Sequence, residues 1–420
     1  MLSVKGPFLS QNSVFFSGFN IKTDAVIIGY SLLLVSLALE FYVNEFRTFA
    51  LITLFISLWF SPNLRILMLN SNFLKISFLF PVVALFAWAF GPFGSDGLKT
   101  FDWLFCLAIG NAAVQSRPRE AIFLLILLPV TALIASVLTF AFYYFQNMPI
   151  QDLYYNTNRI KLYNESTNRM GLTFAFAISV CCGLLFFRIK FRHLLHILFF
   201  MLLGLCWMTQ SRSAFFAVAV VFIIAIICNF WFHSEKFYWP LFVTISIASL
   251  GVVFFSENSR IAYTLTSGSM EYLFNGREDI WRAAWEIFQK SPIFGFGVDS
   301  FHDALSAHLA IPGNAERFPG LPDPNIFWNA HQLVLGILAE MGLAGLAIFI
   351  YLVIRGIRIG FASSPEALAP LFIFIAYLVA GIGGYGFHRS WNSAFFFLPL
   401  GLIEGVYMTR CSSSQMRFLK

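Results

Sequence analysis

The sequence contains few charged residues for its length. Only 11% of its 420 residues are Asp, Glu, Lys or Arg, whereas a soluble domain carries about 25%. Because so few charges cannot cover a chain of this size with a water-compatible surface, a soluble globular class is excluded. The hydrophobic content of 59% and the 53 phenylalanines suit lipid-facing helices with aromatic belts.

Cysteine is absent from the two long hydrophilic segments, at about 146–168 and 256–330. Five of the six cysteines lie in apolar runs and the sixth in the C-terminal tail: Cys106, Cys181, Cys182, Cys206, Cys228 and Cys411. We therefore expect buried small hydrophobic side chains, not a disulfide framework or a thiolate metal site. The first 23 residues do not resemble a cleavable signal peptide, so the first apolar run is expected to remain as an uncleaved anchor.

The net charge of +6 does not indicate nucleic-acid binding. No basic run interleaved with aromatic residues occurs in a hydrophilic segment. An Asp-rich metal motif is also missing, since Asp299, Asp303 and Asp323 are scattered. We therefore predict no metal ion, no cofactor and no nucleic-acid partner.

Long apolar runs dominate what remains. A spanning helix needs about 20 mostly apolar residues. Twelve candidates lie near 25–43, 46–61, 73–92, 99–115, 121–145, 169–187, 193–209, 213–232, 238–255, 332–354, 367–386 and 393–409. The fourth is the weakest, because Asp102 and Asn111 bracket a short apolar core. Lys and Arg are more frequent in the gaps that would be cytoplasmic, which favours both termini inside and makes the fourth run a true span.

The predicted fold class is an all-α, polytopic membrane protein of about twelve transmembrane helices. Residues 1–255 would form the first nine helices, 256–330 a large external loop with amphipathic helices, and 331–420 the last three helices and a cytoplasmic tail. A second external loop would run from about 146 to 168. Loops this long are usually functional or disordered, and the Trp, Phe, Gly and Pro content of the larger one indicates order.

The large loop contains a helix start at Asn275-Gly276-Arg277-Glu278. Asn275 is a favourable N-cap, and Glu278 follows three residues later, as in a capping box. Downstream apolar residues at helical spacing predict an amphipathic helix lying on or in the outer face of the membrane. Arg277 would fall in its first turn, where free N–H groups and the helix dipole favour an anion. The alternative is an ordinary surface charge.

Two further polar groups lie at predicted outer helix starts. Arg212, in the stretch Thr209–Ser213, opens one span, and a charge inside a span usually faces a bundle interior or cavity. His331 opens another, with Asn329 as a possible cap. This second helix can bend at Gly342 and Gly345, with Glu340 partly buried. The alternatives are an arginine that reaches headgroup phosphates and a hydrogen-bonded interfacial histidine.

Taken together, Arg212, Arg277 and His331 lie on one predicted side of the membrane and near helix N-termini. Two guanidinium groups can hold a diphosphate in bidentate fashion. A neutral imidazole can remove a proton from a sugar hydroxyl. This set suits the displacement of a pyrophosphate leaving group.

At these residues the sequence resembles the superfamily of O-antigen ligases, O-antigen polymerases and protein O-oligosaccharyltransferases. The likeness rests on Ser211–Ala214, on Gly276-Arg277 with Ile280-Trp281, on Pro292, Gly295, Gly297 and Phe301, and on His331-Gln332 with Glu340, Gly342 and Gly345. It covers about 205–360. The resemblance implies a metal-independent, inverting glycosyltransferase with about twelve helices in the bacterial inner membrane and a donor glycan on undecaprenyl pyrophosphate. It implies His331 as the base and Arg212 and Arg277 as the pyrophosphate ligands on the periplasmic side.

Other external residues are secondary candidates. Arg159, Lys161 and Arg169 make the first loop basic and could meet phosphates of a lipid acceptor, or they could be ordinary charges near headgroups. Arg389, in the last external gap, could line the cavity. His302 and His308 are expected on the loop surface, with support of the site residues as the alternative.

Three functions follow as hypotheses. The first is a ligase that moves the lipid-linked glycan to lipid A-core. The second is a polymerase of the same superfamily, which would use the same donor and a growing glycan as acceptor. The third, from another class, is a polysaccharide transporter or flippase, although no inverted repeat is evident.

Overall fold

The protein is a bundle of apolar helices. The computed structural model describes residues 21–39, 52–54, 58, 61–90, 97–146, 154–155, 159–160, 166–186, 192–232, 277–321, 329–384, 387 and 390–418. The first seven helices are α1 (Ile21–Leu39), α2 (Pro62–Leu69), α3 (Asn72–Ser77), α4 (Leu79–Phe90), α5 (Lys99–Ser116), α6 (Pro118–Leu124) and α7 (Leu127–Phe145). Two strands, β1 (Tyr154–Tyr155) and β2 (Arg159–Ile160), then pair antiparallel.

The second part of the chain contributes nine described helices. These are α8 (Thr167–Leu184), α9 (Arg192–Met208), α10 (Arg212–Phe232), α11 (Glu278–Lys290), α12 (Phe301–Leu309), α13 (Asn314–Arg317), α14 (Leu333–Ala362), α15 (Leu368–Gly381) and α16 (Ser390–Phe418). A 3-10 turn at Pro365–Ala367 joins α14 to α15. Ten of the twelve predicted spans coincide with described helices; 238–255 and most of 46–61 lie outside the described residues.

Five helical stretches are long and apolar enough to cross a membrane: Asn72–Ala89, Pro118–Phe145, Arg212–Phe230, Leu333–Ala362 and Asn392–Cys411. Asp24–Leu39, Arg192–Met208 and Pro365–Gly381 are apolar but shorter. The described part of the chain is therefore that of a helical membrane protein, with one two-residue ladder as its only strand pairing. The total of about twelve spans stays a prediction.

Helix α5, the weak fourth candidate, lies at the centre of the bundle. The ring of Trp103 in α5 stacks on the ring of Phe397 in α16, with centroids 5.5 Å apart. About two turns later in α5, the side-chain NH2 group of Asn111 donates to the carboxyl group of Glu404 at 3.1 Å. Because both numbers rise together, α5 and α16 run parallel, as the twelve-span prediction requires. Its side chains meet other helices rather than lipid, so polar residues such as Asn111 are accommodated by protein partners.

Helices α8 and α15 pack antiparallel beside this pair. Gly183 of α8 lies against the backbone of Ala369 at the start of α15. Phe176, two turns earlier in α8, lies 6.4 Å from Tyr377 between ring centroids. The close approach depends on Gly183, because a Cβ there would overlap Ala369. The five cysteines predicted in apolar runs are buried and unbridged.

Candidate active site

One end of the bundle gathers the predicted site residues, and we call it the site end. The antiparallel register of α8 and α15 places Gly171 level with Gly381. Gly171 packs against Ser211, immediately before α10. Gly381 packs against Leu333, the first residue of α14. The starts of α10 and α14 therefore lie at the same end, as the sequence predicted for Arg212 and His331.

Arg277 joins this end from the large loop. It is the N-cap residue of α11, one position before the first turn in which it was predicted. Its guanidinium Nη1 donates to the carbonyl of Gly383, just beyond α15. Glu278 and Asp279 occupy the first turn and already balance the positive end of the helix dipole. The predicted anion site would therefore depend on the guanidinium of Arg277 and not on the free N–H groups of α11. Asn275 lies outside the described residues.

The apolar face of α11 packs mainly on protein, and the position of this helix at the outer face of the membrane stays a prediction. Ile280, Ala283, Ala284 and Ile287 are buried in a cluster that includes α12 and Ala339 of α14. The same spacing that would suit a membrane surface is used here to pack one protein helix on another. As a result, Arg277 is held by a packed element.

His331 has an unusual backbone. Its φ is +51°, in the left-handed region that side-chain-bearing residues rarely occupy. Its N–H donates to Oδ1 of Asn329 at 2.7 Å, so Asn329 holds the strained turn instead of capping the helix. The cap of α14 is Gln332, whose side chain accepts from the N–H of Leu335. Such strain concentrates at functional sites, where the surrounding structure maintains it.

The imidazole of His331 is kept neutral. Burial, and to a smaller extent the nearby guanidinium of Arg277, together lower its pKa to about 4. An electrostatic effect of this kind requires the two side chains to be near one another. At neutral pH His331 therefore offers a lone pair that can accept a proton, beside a fixed positive charge.

Arg212 is half-buried at the start of α10. The preceding turn is tight, because Gln210 has φ +49° and Thr209 Oγ1 donates to the Cys206 carbonyl at 2.7 Å. Ser211 is fully buried against Gly171. This turn fixes where the helix begins and sets Arg212 at the site end.

The secondary candidates are distributed unevenly. Arg169 lies in the first turn of α8, at the site end and half-buried. Arg159 contributes its backbone to β2, where it is paired with Tyr155. Lys161 and Arg389 lie outside the described residues. Substrate-binding roles for these four residues stay predictions.

A cleft lies directly beside His331. Its walls are Asn329, Ala330, Gln332, Gly336, Ile337, Glu340, Met341 and Phe387. Gln332, Gly336 and Glu340 are spaced four apart and so share one face of α14. A Cβ built on Gly336 would meet no atom within 4 Å, so this glycine leaves the middle of the cleft open. Polar groups are thus placed along one side and an aromatic ring on another.

Two features of this region were not predicted. Lys99, at the start of α5, forms an ion pair with Asp299, 200 positions away, and no local pattern indicates such a pairing. His308 was expected on the loop surface, but it packs against Phe318 and is only 3% exposed. Its Nε2 lies 3.2 Å from Oε2 of Glu286. Among the described residues no group of three His, Cys, Asp or Glu could hold a metal ion, and metal independence stays a prediction.

Comparison with known proteins addresses the family. Residues 196–350 match the family model described as O-Antigen ligase, and this range contains Arg212, Arg277 and His331. A search of curated proteins found no match. The match confirms, over residues 196–350, the resemblance seen in the sequence, and it supports a membrane glycosyltransferase of the ligase or polymerase type.

Proposed function

We propose that the protein ligates an O-antigen glycan, carried on undecaprenyl pyrophosphate, to lipid A-core at the periplasmic face of the inner membrane. The observation that carries this proposal is the neighbouring pair of Arg277 and His331, a fixed cation beside a neutral base. Arg212 at the same end supplies a second guanidinium. The match to the O-antigen ligase family over residues 196–350 supports this chemistry.

The reaction is a single displacement at the anomeric carbon. His331 accepts the proton of the acceptor hydroxyl as its oxygen bonds to that carbon. The bond from the anomeric carbon to the pyrophosphate oxygen breaks, and undecaprenyl pyrophosphate leaves with the electron pair. Arg212 and Arg277 stabilise the charge that develops on this leaving group. Attack opposite the leaving group inverts the anomeric configuration, and no metal ion is needed for these steps.

Binding of the donor would change the pKa of His331. A base with a pKa of about 4 is unprotonated at neutral pH but is weak. When the donor pyrophosphate binds beside Arg277, its negative charge offsets the guanidinium and raises the pKa of His331. The imidazole then becomes a stronger base at the moment when a donor is present to react.

The surface of α14 at Gln332 and Gly336 is the proposed place where the acceptor sugar approaches. It lies beside His331, and its polar side suits hydroxyl groups. Residues 277–321, which pack on α14 through α11, would then lie over the reacting sugars. In this arrangement 1–255 supplies the membrane scaffold together with Arg212, 256–330 supplies Arg277, and 331–420 supplies His331.

Deletion of the gene tests ligation against polymerisation. Loss of a ligase leaves long lipid-linked polymer in the membrane and lipid A-core without O-antigen. Loss of a polymerase leaves core capped by a single repeat unit. We expect the first lipopolysaccharide profile, restored by the wild-type gene but not by His331→Ala. The second profile would assign the protein to the polymerases and contradict the ligase proposal.

A further inference from the structure

Helix α14 is broken at Gly342, and the break is repaired by another part of the chain. Gly342 has φ +61°, which confirms the bend predicted there. In an unbroken helix the N–H groups of residues 343 and 344 would bond the carbonyls of 339 and 340. Instead, Leu343 N–H donates to the Pro292 carbonyl at 2.9 Å and Ala344 N–H to the Ile293 carbonyl at 3.0 Å.

The freed carbonyls find partners in the same inserted segment. Phe296 N–H donates to the Ala339 carbonyl and Gly297 N–H to the Glu340 carbonyl, both at 2.9 Å. Residues 292–297 thus enter the hydrogen-bond ladder of α14 and replace two helical bonds by four. Gly295, with φ +71°, allows this approach, because a Cβ there would overlap the Glu340 backbone.

Glu340 ties the two segments together a second time, through its side chain. Its carboxyl accepts the backbone N–H groups of Asp299 and Phe301, at the start of α12. Asp299 in turn forms an ion pair with Lys99 of α5. The Glu340 side chain is 5% exposed, and the charged groups that face it are Asp299 and Lys99. Glu340 is therefore a contact point for α5, α12 and α14.

The break makes the first part of α14 depend on such contacts. Residues 333–341 form a half-helix of about two and a half turns, and helices this short are marginal without tertiary support. His331 directly precedes the half-helix and has a strained backbone. A small shift of the half-helix would move the imidazole relative to Arg277.

We propose that Glu340 is a positioning residue, which fixes the half-helix 333–341 on the inserted loop and so sets where His331 meets the acceptor hydroxyl. The inference rests on the proposed role of His331. Glu340 contacts no reacting atom in this account and acts through the hydrogen bonds to Asp299 and Phe301. Glutamine at this position would keep the size and one acceptor, but its NH2 group would face a second backbone donor.

The test compares Glu340→Gln with Glu404→Gln in the full-length protein, reconstituted with lipid-linked glycan donor and acceptor lipid. Glu404 of α16 is a matched control, since it is also buried and accepts backbone N–H groups, those of Asn72 at 2.8 Å and Phe73 at 3.0 Å. We expect Glu340→Gln to lower kcat by about 10²-fold, as a displacement of about 1 Å can, with little change in the donor KM. Glu404→Gln should leave kcat per folded molecule unchanged.

A pH profile separates positioning from simple loss of folded protein. A loosened half-helix admits water to His331, so its pKa rises from about 4 toward the ordinary 6.5. The acid limb of kcat/KM should therefore move to higher pH in Glu340→Gln and stay in place in Glu404→Gln. Glu340→Asp, which keeps the carboxyl group but shortens the reach, should fall between wild type and Glu340→Gln and provides a second variant if glutamine prevents folding.

The result that overturns the inference is normal kcat and an unmoved acid limb in folded Glu340→Gln or Glu340→Asp. A failure of the proposed function looks different, because wild type would then transfer no glycan at all. Wild-type transfer that His331→Ala abolishes and Glu340 variants retain would reject the positioning role alone.

Discussion

At the site end of the bundle Glu340 accepts backbone N–H groups beside a broken helix, whereas toward the opposite end Glu404 accepts them at the regular start of α3. Glu404 lies next to Asn111, about 18 Å along α5 from Lys99 at a rise of 1.5 Å per residue. Both carboxylates are at most 5% exposed. Their hydrogen bonds are chemically alike, and their backbone surroundings are not.

Backbone strain is confined to one of these regions. Among the described residues, the only non-glycine positions with positive φ are Gln210, Asp299 and His331, and all three belong to the site end. The opposite end holds its buried carboxyl group with a capped helix, in which Ser71 Oγ accepts from Leu74 N–H at 3.0 Å. The site end therefore holds its side chains on a strained backbone, whereas the opposite end uses a regular, capped helix.

The largest difference between the two ends should come from their histidines. His331→Ala should lower transfer by about 10²–10⁴-fold, the usual contribution of a general base, while the donor still binds. His196 is the control, because it lies in the first turns of α9 at the opposite end and bonds the Arg192 carbonyl at 2.8 Å. Turnover and donor binding of purified variants measure both. Equal effects of His331→Ala and His196→Ala would remove the distinction between the ends.

Arginine replacements should give the next largest difference. Arg277→Lys should lower kcat by about 10²–10³-fold, as loss of one transition-state hydrogen-bond donor does, because lysine cannot form the bidentate fork. Arg117→Lys is the control: Arg117 forms ion pairs with Asp24 and Glu120 beyond the other end of α5. Turnover measurements decide, and near-normal kcat in Arg277→Lys would show that this guanidinium does not hold the pyrophosphate.

Glycine replacements should separate the ends by stability as well as by activity. Gly342→Ala should destabilise the fold by about 1–2 kcal/mol from the left-handed backbone alone, and more because its Cβ would lie 2.5 Å from the Ile293 carbonyl. Transfer should fall with it, since the half-helix that follows His331 would shift. Gly204→Ala, where a Cβ meets no atom within 4 Å, is the control. Thermal unfolding in detergent and transfer assays measure both, and an unaffected Gly342→Ala would contradict the inserted-loop geometry.

The smallest expected effect is a difference in pH between the acid limb of kcat/KM and the acid limb of kcat. Protonation removes the base, so activity falls as the pH drops through the pKa of His331. The limb of kcat/KM reports the free enzyme and should lie near pH 4. The limb of kcat reports the complex and should lie higher, because the donor pyrophosphate raises the pKa. Coincident limbs, measured where the protein stays folded, would mean that the donor charge does not reach His331.

Much of this arrangement could be predicted from the sequence because it depends on local patterns. Ten apolar runs coincide with described helices, and Gly342 indicated a bend. The hydropathy of α5 was ambiguous for a physical reason, since a helix enclosed by other helices can carry polar residues. The apolar stripe of α11 was equally compatible with lipid and with protein, and packing on α12 and α14 decided between them.

Other features depend on contacts between distant parts of the chain. The ion pair of Lys99 with Asp299 and the hydrogen bonds of Glu340 join segments that no spacing relates. The strained backbone of His331 likewise follows from its surroundings and not from its neighbours in sequence. Sequence therefore identified which side chains could do the chemistry, and the three-dimensional contacts showed how they are held.

The central claim is that a bond is made at the site end, and direct transfer by the purified protein tests it. The reaction would contain the reconstituted wild-type protein, labelled lipid-linked glycan and acceptor lipid, without nucleotide or added divalent cation. The account predicts glycan on the acceptor and one undecaprenyl pyrophosphate released for each glycan transferred. Folded protein that binds or moves the lipid-linked glycan across a bilayer without forming this product would contradict the account.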